Sequence, residues 1–553
     1  MQRTRDRESL PPTSALAAVT VGLLLAGLVG CKDRTDFGSR ADLRRTRGVL
    51  VISLDTLRAD HLSPYGYSRD TSPFLAELAD RGVLFEQAIA QYPATLTSHM
   101  SLFTGLYPGE HGVYPPDAVL SDKIPTLPEL FRAAGYTTGG FTEGAFVAGS
   151  YGFARGFDEF NDEVQRQTDD IERTFARARE FLDRLAPEER FFLFVHTYQI
   201  HDPYDPPEPY ASMFWDGEPP DAFPPDGPNL VRHNTYGGEL SPGTVEYFEA
   251  LYDGSIRYTD DQLKELFAFL DKRGLADDLT VVVLSDHGEQ FQEHGQFVHA
   301  DIYQEVMRVP LIILHPDLPA GRRVSRPVEL VDVAPTLLGL ARLRPQVTLS
   351  GTSRIPELVG RGGAKDPATA YAENHLGNSR AFYLEHEGTL LHVVVHYNQA
   401  GDWIGRRFTL DLADAAEAIR VMGWQTPKPA TLSLDTGWSQ DIVIPAEPAD
   451  EAFPLPAGTQ RRLTVVAHEC APLEHKDNAC FAFRILDPLA TLTELFDVLQ
   501  DPREQHDLAR QRPELTVDLR RRVMEISHTP TAEPVTQQLQ EALEDRLRAL
   551  GYL

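Results

Sequence analysis

The chain has 553 residues, of which 42% are hydrophobic and 24% are charged, a globular composition that excludes a low-complexity, collagen-like or disulfide-scaffold protein. At roughly 100–200 residues per domain, this length suggests two or three domains. The 52 Lys and Arg residues against 82 Asp and Glu give a net charge of −30, which repels phosphate backbones, so we expect no nucleic-acid partner.

The first 30 residues have the pattern of a signal peptide. Arginines precede an apolar run over residues 15–30, which is too short and too poorly flanked for a stable membrane span. The run ends in the letters LVGC, which resemble a bacterial lipobox and make Cys31 the site of lipidation. The alternative is a plain signal peptide or anchor with a chance cysteine. With residues 31–47 as a polar tether, we expect a lipid-anchored protein of the bacterial cell envelope, periplasmic or surface-facing.

The region after residue 47 contains continuous apolar runs, which are typical of strands buried on both faces. The runs are Val49–Leu54, Phe191–His196, Leu279–Leu284 and Val309–Leu314. Amphipathic helical stretches lie between them, at Ser72–Arg81, Leu127–Ala134, Ile171–Leu185 and Val245–Leu270. This alternation predicts an α/β domain over residues 48–375, with a mostly parallel or mixed sheet flanked by helices.

The pattern changes after about residue 375, and residues 376–553 are predicted to form a smaller β-rich region. Its short predicted strands are Leu390–Tyr397, Phe408–Leu412, Ala430–Leu434, Asp441–Pro445 and Arg462–His468. The tail Val535–Leu550 is predicted to be an amphipathic helix. Cys470 and Cys480 lie ten residues apart, and in an exported protein they can pair as a disulfide; two free thiols are the alternative.

Residues that carry chemistry follow three of the predicted strands, where ligands of parallel sheets bind. Asp55 follows the first strand, His201 comes shortly after the second, and Asp286 and His287 follow the third. Thr95 opens an apolar helical stretch, whose positive end attracts anions. Each residue alone is explained by a turn, a helix cap or a satisfied core histidine. Together, however, two carboxylates, an imidazole and a hydroxyl describe a metal-activated nucleophile.

The segment VLVISLDTLRADHLSPYGYSRDTSPFLAELADRGVLFEQAIAQYPATLTSHMSLFTGLYPGEHGV resembles the opening of the sulfatases, within the alkaline phosphatase superfamily. The resemblance continues in FFLFVHTYQIHDPYDPP, in LSDHGEQFQEHG with YQEVMRVPLII, and in VDVAPTLLGL; it returns in ELFDVLQDPREQHDLA and LRALGYL. It covers about residues 48–375 and 490–553. The resemblance implies the sulfatase fold and a hydrolase acting on ester bonds.

Matching positions imply the roles of individual residues. Asp55, Asp286 and His287 match ligands of a divalent metal, and Thr95 matches the nucleophile, which also touches the metal. His201 matches a histidine that contacts the substrate oxyanion or the leaving group.

Two further histidines, His294 and His299, lie in the region that supplies additional contacts to the substrate or leaving group. One divalent ion is implied, and a second is left open. His287 stands where calcium-dependent sulfatases carry an amide, which favours Mn²⁺ or Zn²⁺, while Ca²⁺ and Mg²⁺ stay open.

The nucleophile position departs from the family pattern. Sulfatases use a cysteine or serine that is converted to formylglycine, whereas oxidation of the secondary alcohol of Thr95 would give a ketone. The usual proline and arginine two and four places further on are Thr97 and His99. We expect His99, one helical turn from Thr95, to replace the arginine as an oxyanion contact or general acid; a helix-surface residue is the alternative.

Several functions follow from this pattern. The first is a sulfatase-like metal-dependent hydrolase that uses Thr95 on a phosphodiester, phosphonate ester or sulfate ester of a glycan, lipid head group or small molecule. Threonine favours phosphorus, whereas the overall resemblance favours sulfate, cleaved without formylglycine. The second is a catalytically weak surface lipoprotein that binds an anionic glycan or lipid head group. A phosphoethanolamine-type transferase also fits the threonine, but such enzymes carry several membrane spans.

Overall fold

The computed structural model describes residues 43–163, 170–236, 238, 240–299, 301–361, 368–374, 379–397, 402–404, 407–412, 418–423, 428–444, 450–454, 456, 461–467, 482–485, 491–533 and 535–536. Cys31, Cys470 and Cys480, with the lipidation and disulfide predicted there, lie outside these residues. No helix in the described ranges is both long and apolar enough to cross a membrane.

A nine-stranded mixed sheet forms the centre of the larger part of the molecule. The strands of this part are β1 (Gly48–Leu54), β2 (Val83–Ile89), β3 (Ala118–Val119), β4 (Thr137–Phe141), β5 (Glu159–Asn161), β6 (Phe191–Thr197), β7 (Leu279–Leu284), β8 (Gln290–Phe291), β9 (Phe297–Val298), β10 (Arg308–Leu314), β11 (Arg322–Val324) and β12 (Val328–Glu329). The order in the sheet is β11-β2-β10-β7-β1-β6-β4-β5, with β12 beside β2. Only β10 runs antiparallel to its neighbours among these pairs.

The three central strands are buried along their whole length because helices cover both faces of the sheet. Every residue of β1, β6 and β7 is buried. Side chains alternate between two cores, so that Val49 and Val51 face one and Leu50 and Ile52 face the other. Burial on both faces is why these strands appear in the sequence as continuous apolar runs.

Helices lie on both sides of this sheet. They are α1 (Pro73–Arg81), α2 (Thr95–Thr104), α3 (Pro108–His111), α4 (Leu127–Ala133), α5 (Asp170–Arg184), α6 (Gly227–Tyr236), α7 (Thr244–Lys272), α8 (Gln304–Met307), α9 (Val333–Leu340) and α10 (Ile355–Leu358). Residues of α2, α4 and α9 pack into one core, and residues of α1, α5 and α7 pack into the other.

Shorter sheets and one helix form in the described residues after residue 368. Their elements are β13 (Thr369–Asn374), β14 (Ser379–His386), β15 (Thr389–Tyr397), β16 (Asp402–Ile404), β17 (Arg407–Leu412), β18 (Ala418–Gly423), β19 (Lys428–Leu434), β20 (Ser439–Ile444), β21 (Asp450–Pro454), β22 (Arg461–Ala467), β23 (Ala482–Ile485), β24 (Thr491–Asp497), α11 (Pro513–Glu525) and β25 (Val535–Thr536). Three four-stranded sheets form, with the orders β13-β14-β15-β24, β16-β23-β18-β21 and β17-β22-β19-β20. The predicted fold class, a mixed sheet flanked by helices with smaller β-rich C-terminal sheets, is confirmed.

The start of the predicted tail helix differs from the structure. Val535 and Thr536 form β25, which pairs antiparallel with Val119 and Ala118 of β3. The helix prediction is therefore wrong at these two residues, since pairing with a distant strand overrides a local amphipathic pattern. Residues 537–550 of the predicted helix lie outside the described residues.

Candidate active site and metal centre

Two neighbouring strands bring the predicted carboxylates together. Strand β1 pairs in parallel with both β7 and β6, so their carboxyl ends meet at one edge of the sheet. Asp55 is the first residue after β1, and its backbone N–H donates to the carbonyl of Thr197, at the end of β6. Asp286 and His287 follow β7 after one intervening serine. The sheet topology therefore places all three predicted metal ligands at the same edge.

Ser285 ties the two strand-end loops to each other. Its hydroxyl donates to the carbonyl oxygen of His287 at 2.7 Å and accepts from the N–H of Leu57 at 2.9 Å. The residue after His287 must be a glycine, because a Cβ on Gly288 would lie 2.0 Å from the carbonyl oxygen of Glu305. A side chain at Gly288 would therefore displace the loop that carries His287.

Thr56 turns the chain sharply after Asp55. Its φ angle is +54°, a left-handed conformation that is strained for a β-branched residue. The Thr56 hydroxyl donates to the carbonyl of Asp55 at 2.8 Å, and the hydroxyl of Tyr252 donates to the carbonyl of Thr56 at 2.7 Å. These bonds hold the strained turn and fix the backbone of Asp55.

The predicted nucleophile faces the three predicted metal ligands, Asp55, Asp286 and His287, which we call the triad. Thr95 is the first residue of α2, and its Oγ1 lies 3.2 Å from Nε2 of His287. The other ring nitrogen, Nδ1 of His287, donates to the carbonyl of Gly288 at 3.0 Å. In the neutral ring, Nε2 therefore carries the lone pair and accepts from the Thr95 hydroxyl. Ser98, one turn further on, instead donates to the backbone carbonyl of Asp286 at 2.7 Å.

The donor atoms fit a divalent metal. Ligand atoms of Asp55, Asp286 and His287 all lie within 4.8 Å of one another, and this is the one such group of three or more found among the described residues. Oδ1 of Asp55 and Oδ2 of Asp286 are buried and accept no hydrogen bond from the described chain. Two unsatisfied carboxylate oxygens beside an imidazole lone pair are a donor set for a transition-metal ion.

The charges of the triad depend on one another. Burial, followed by the charge of Asp286, raises the pKa of Asp55 to about 7. Burial also acts to raise the pKa of Asp286, but His287 and His99 outweigh it and hold that pKa below its usual range. Burial lowers the pKa of His287, which favours the neutral ring that a metal requires.

Two further predicted histidines lie next to the triad. The ring centroid of His299 is 4.3 Å from that of His287 and 5.4 Å from that of His201. Nδ1 of His201 donates to the carbonyl of Asp202 at 2.8 Å. Burial, with His201 as the next cause, lowers the pKa of His299 to about 3. The structure thus brings His201 and His299 together with the triad and with Thr95.

His99 is buried and lies behind Asp286. Its Nδ1 donates to the carbonyl of Thr95 at 2.9 Å and lies 3.3 Å from Oδ2 of Asp286. Its Nε2 is 2.9 Å from the hydroxyl of Ser53. Burial opposes its protonation, but Asp286 outweighs burial and raises the pKa of His99. Both nitrogens have partners within the protein, a geometry that favours positioning of Asp286 over direct contact with a substrate.

His196 was not among the residues predicted from the sequence, and it contacts Asp55, a predicted metal ligand. Its Nε2 lies 3.0 Å from Oδ2 of Asp55, and the side chain is fully buried. It is paired in register with Ser53 of β1. The available signal was a histidine and a serine that interrupt two otherwise apolar strands. Without the register, nothing in the sequence showed that these two polar residues are neighbours.

His294 has different neighbours. Its Nδ1 contacts Oε1 of Glu305 at 2.7 Å, its ring stacks on Tyr303 with centroids 3.7 Å apart, and its Nε2 is 3.4 Å from the carbonyl of Glu504. These contacts join the β8–β9 hairpin to the segment after β24. Burial opposes protonation, but the hydrogen bond to Glu305 raises the pKa of His294 to about 9.

This chain is similar to several known proteins. A family model described as "Sulfatase" matches residues 47–343. An arylsulfatase of Clostridium perfringens is 24% identical over 400 residues, which cover 61% of this chain and 83% of that protein. An ulvan-active sulfatase of Formosa agariphila is 25% identical over 366 residues, and the match covers 60% of this chain and 68% of that protein. The crystal structure of a phosphonate monoester hydrolase of Agrobacterium radiobacter has a TM-score of 0.56 at 18% identity, covering 90% of this chain and all of that one.

The His294–Glu305 pair predicts a pH-dependent stability. Because the folded-state pKa of about 9 exceeds the ordinary 6.5, the stabilisation by the charged imidazole is complete below about pH 6.5 and is lost as the pH rises through about 9. We expect His294→Gln to lower the free energy of unfolding by on the order of 1–3 kcal/mol at pH 6 and by little at pH 10. Unfolding of both proteins across this pH range measures the difference, with the exposed His506→Gln as control. A constant difference would contradict the prediction.

Proposed function

The chain belongs to the sulfatase family, and on that premise we propose that it is a metal-dependent hydrolase that uses the hydroxyl of Thr95 to cleave a phosphodiester or phosphonate ester. The prediction of a hydrolase acting on ester bonds is confirmed by the family and by the arylsulfatase relative. The substrate, the nucleophile and the metal are our proposals.

One observation carries the proposal. The hydroxyl of Thr95 lies 3.2 Å from Nε2 of His287, at the start of a ten-residue helix and beside the only triad of its kind in the described chain. The N-terminus of α2 contributes a positive electrostatic potential, which favours an anionic ester beside Thr95. A hydroxyl beside a metal site and a helix N-terminus is what nucleophilic catalysis on a phosphate ester requires.

The metal would be held by Oδ1 of Asp55, Oδ2 of Asp286 and Nε2 of His287, with Oγ1 of Thr95 beside them. When bound, a divalent ion would lower the pKa of the Thr95 hydroxyl and offset the negative charge of the ester. Within the triad, a nitrogen donor and two carboxylate oxygens without hydrogen bonds favour Mn²⁺ or Zn²⁺ over Ca²⁺, which prefers six to eight oxygen ligands.

The proposed reaction has two displacements. In the first, Oγ1 of Thr95 bonds to phosphorus as the bond to the leaving oxygen breaks; the hydroxyl proton passes to solvent, and His201 gives a proton to the leaving alcohol. In the second, water attacks the phosphorus bonded to Oγ1, which still carries its other organic group; the bond to Oγ1 breaks, and Thr95 and the histidine regain their protons. The sum is one ester and one water giving one alcohol and one acid.

A sulfate ester is the second candidate. The curated relatives named above are an arylsulfatase and an ulvan-active sulfatase, and these names favour sulfur. Threonine favours phosphorus, because it cannot give the aldehyde of formylglycine and must attack as an alcohol. The fold does not separate the two, because it is also that of a phosphonate monoester hydrolase. A catalytically weak lipoprotein that binds an anionic glycan or lipid head group remains the alternative to both.

Substitution of Thr95 is the test of the proposal. The metal-stripped full chain is given Mn²⁺, Zn²⁺, Ca²⁺ or Mg²⁺ in turn and assayed on an aryl phosphodiester, an aryl phosphonate ester and an aryl sulfate. We expect turnover of a phosphorus ester with Mn²⁺ or Zn²⁺, reduced roughly 10³-fold or more in Thr95→Ala because the nucleophile is lost. Thr95→Ser, which keeps a hydroxyl, is expected to keep part of the activity.

Thr97→Ala is the matched control on the same helix, because the Thr97 hydroxyl donates to the carbonyl of Val113 and not into the site. It is expected to keep wild-type turnover. Preferential sulfate turnover that Thr95→Ala abolishes would replace phosphorus by sulfur. Full activity in Thr95→Ala would rule out this nucleophile. No turnover with any metal, together with no metal-induced stabilisation, would favour the binding protein.

We also propose that the chain is exported and lipid-anchored through Cys31 in the bacterial cell envelope. The letters LVGC after an apolar run support this proposal. Cells grown with a labelled fatty acid are expected to label the wild-type protein and not Cys31→Ala, which is expected to leave the membrane fraction. Equal labelling of both proteins would contradict lipidation at Cys31.

A further inference from the structure

The two metal-binding carboxylates each have a buried histidine behind them, and neither histidine belongs to the triad. His196 of β6 contacts Asp55, and His99 of α2 contacts Asp286. We call these two residues the buried histidine pair. Their rings lie edge to face with centroids 4.9 Å apart, and both side chains are fully buried.

The contact between His196 and Asp55 engages one of the two carboxylate oxygens and leaves the other without a hydrogen bond. Nε2 of His196 lies 3.0 Å from Oδ2 and donates to it, because a carboxylate oxygen accepts. Nδ1 of His196 has no hydrogen-bond partner among the described residues, so this ring makes one directed bond, and it ends on Asp55. Oδ1 of Asp55 is buried and left without a hydrogen bond from the described residues. His196 therefore fixes which oxygen of Asp55 is available.

The contact at Asp286 joins the nucleophile to the same framework. The N–H at Nδ1 of His99 is donated to the backbone carbonyl of Thr95 and lies at ion-pair distance from Oδ2 of Asp286. At the opposite edge of the ring, Nε2 is held by the hydroxyl of Ser53. One ring thus links strand β1, the first residue of α2 and the carboxylate that follows β7.

We infer that His196 and His99 are positioning residues, which set the orientations of the Asp55 and Asp286 carboxylates before the metal binds. His196 acts through its hydrogen bond to Asp55, and His99 acts through its ion-pair contact with Asp286. Loss of partners that orient metal ligands commonly weakens metal binding by about tenfold to a hundredfold. The inference rests on the proposed metal centre. It assigns to His99 a role different from substrate contact, and it assigns a role to His196, which neither the triad nor the reaction steps use.

The two histidines use opposite ring nitrogens, and this difference gives a precise test. An asparagine amide nitrogen stands near the position of Nδ1, and a glutamine amide nitrogen stands near that of Nε2. At position 196, glutamine can keep the donor to Asp55 and asparagine cannot. At position 99 the order is reversed, because Nδ1 faces Thr95 and Asp286. A role in filling space would not give opposite preferences at the two positions.

The experiment measures Zn²⁺ and Mn²⁺ affinity of the metal-stripped full chain by titration calorimetry. We expect His196→Asn and His99→Gln to lose about tenfold to a hundredfold in affinity, and His196→Gln and His99→Asn to stay close to wild type. His111→Gln is the matched control: this buried histidine contacts Ser101 and Val113, and its substitution is expected to leave metal affinity unchanged. Thermal unfolding without metal verifies that each variant is folded, and if one pair does not fold, the other decides.

Equal affinities for the two amides at each position would overturn the inference, and so would an opposite order. Both results require a wild-type protein that binds metal, so they leave the proposed function intact. A wild-type protein that binds neither Zn²⁺ nor Mn²⁺ would overturn the proposed metal centre, and the inference with it. The two failures are therefore distinguishable in the same titration.

Discussion

The burial of two carboxylates at one edge of the sheet is the constraint around which the site is arranged. Carboxylate oxygens of Asp55 and Asp286 lie within 4.8 Å of each other, and both side chains are shielded from water. Burial, followed by repulsion from the charge of Asp286, raises the pKa of Asp55 to about 7. A divalent metal relieves both effects, which makes the carboxylate pair the strongest physical reason to expect one.

The fold creates this constraint through the parallel pairing of β1 with β6 and β7. That pairing brings strand ends from distant parts of the chain to one edge, and each end carries a polar residue. Local features then make the arrangement unique. The left-handed turn at Thr56 and the close approach at Gly288 hold the backbones, while Ser285 bonds the two loops to each other. The helix that starts at Thr95 supplies the hydroxyl and the positive end of its dipole.

Much of the central sheet could be predicted from the sequence because strands buried on both faces leave an unmistakable apolar pattern. The predicted strand Leu279–Leu284 has the same limits in the structure, and Val49–Leu54 differs by one residue at its start. Strand ends also mark chemistry, which is why Asp55, Asp286 and His287 could be chosen in advance and are found together.

The other parts of the site and fold could not be predicted, because they depend on contacts between segments that are distant in the sequence. His196 lies inside a strand, and its importance follows from its register with Ser53 and its contact with Asp55. His99 could be chosen from its helical spacing, but its partners could not, since they come from β1 and from the loop after β7. The short strand at Val535 likewise follows from a partner strand more than 400 residues away. Long-range pairing of this kind leaves no local periodicity to read.

The central claim is that Thr95 forms a covalent bond to the substrate during turnover. The most direct measurement is to quench the metal-loaded full chain with acid while it turns over an aryl phosphodiester or aryl sulfate, and to determine the mass of the peptide that carries residue 95. We expect this peptide to carry on Thr95 either the phosphoryl group with its remaining ester substituent or the sulfuryl group, and we expect no such group without substrate. Rapid turnover with Thr95 unmodified and the group attached to another side chain would contradict it.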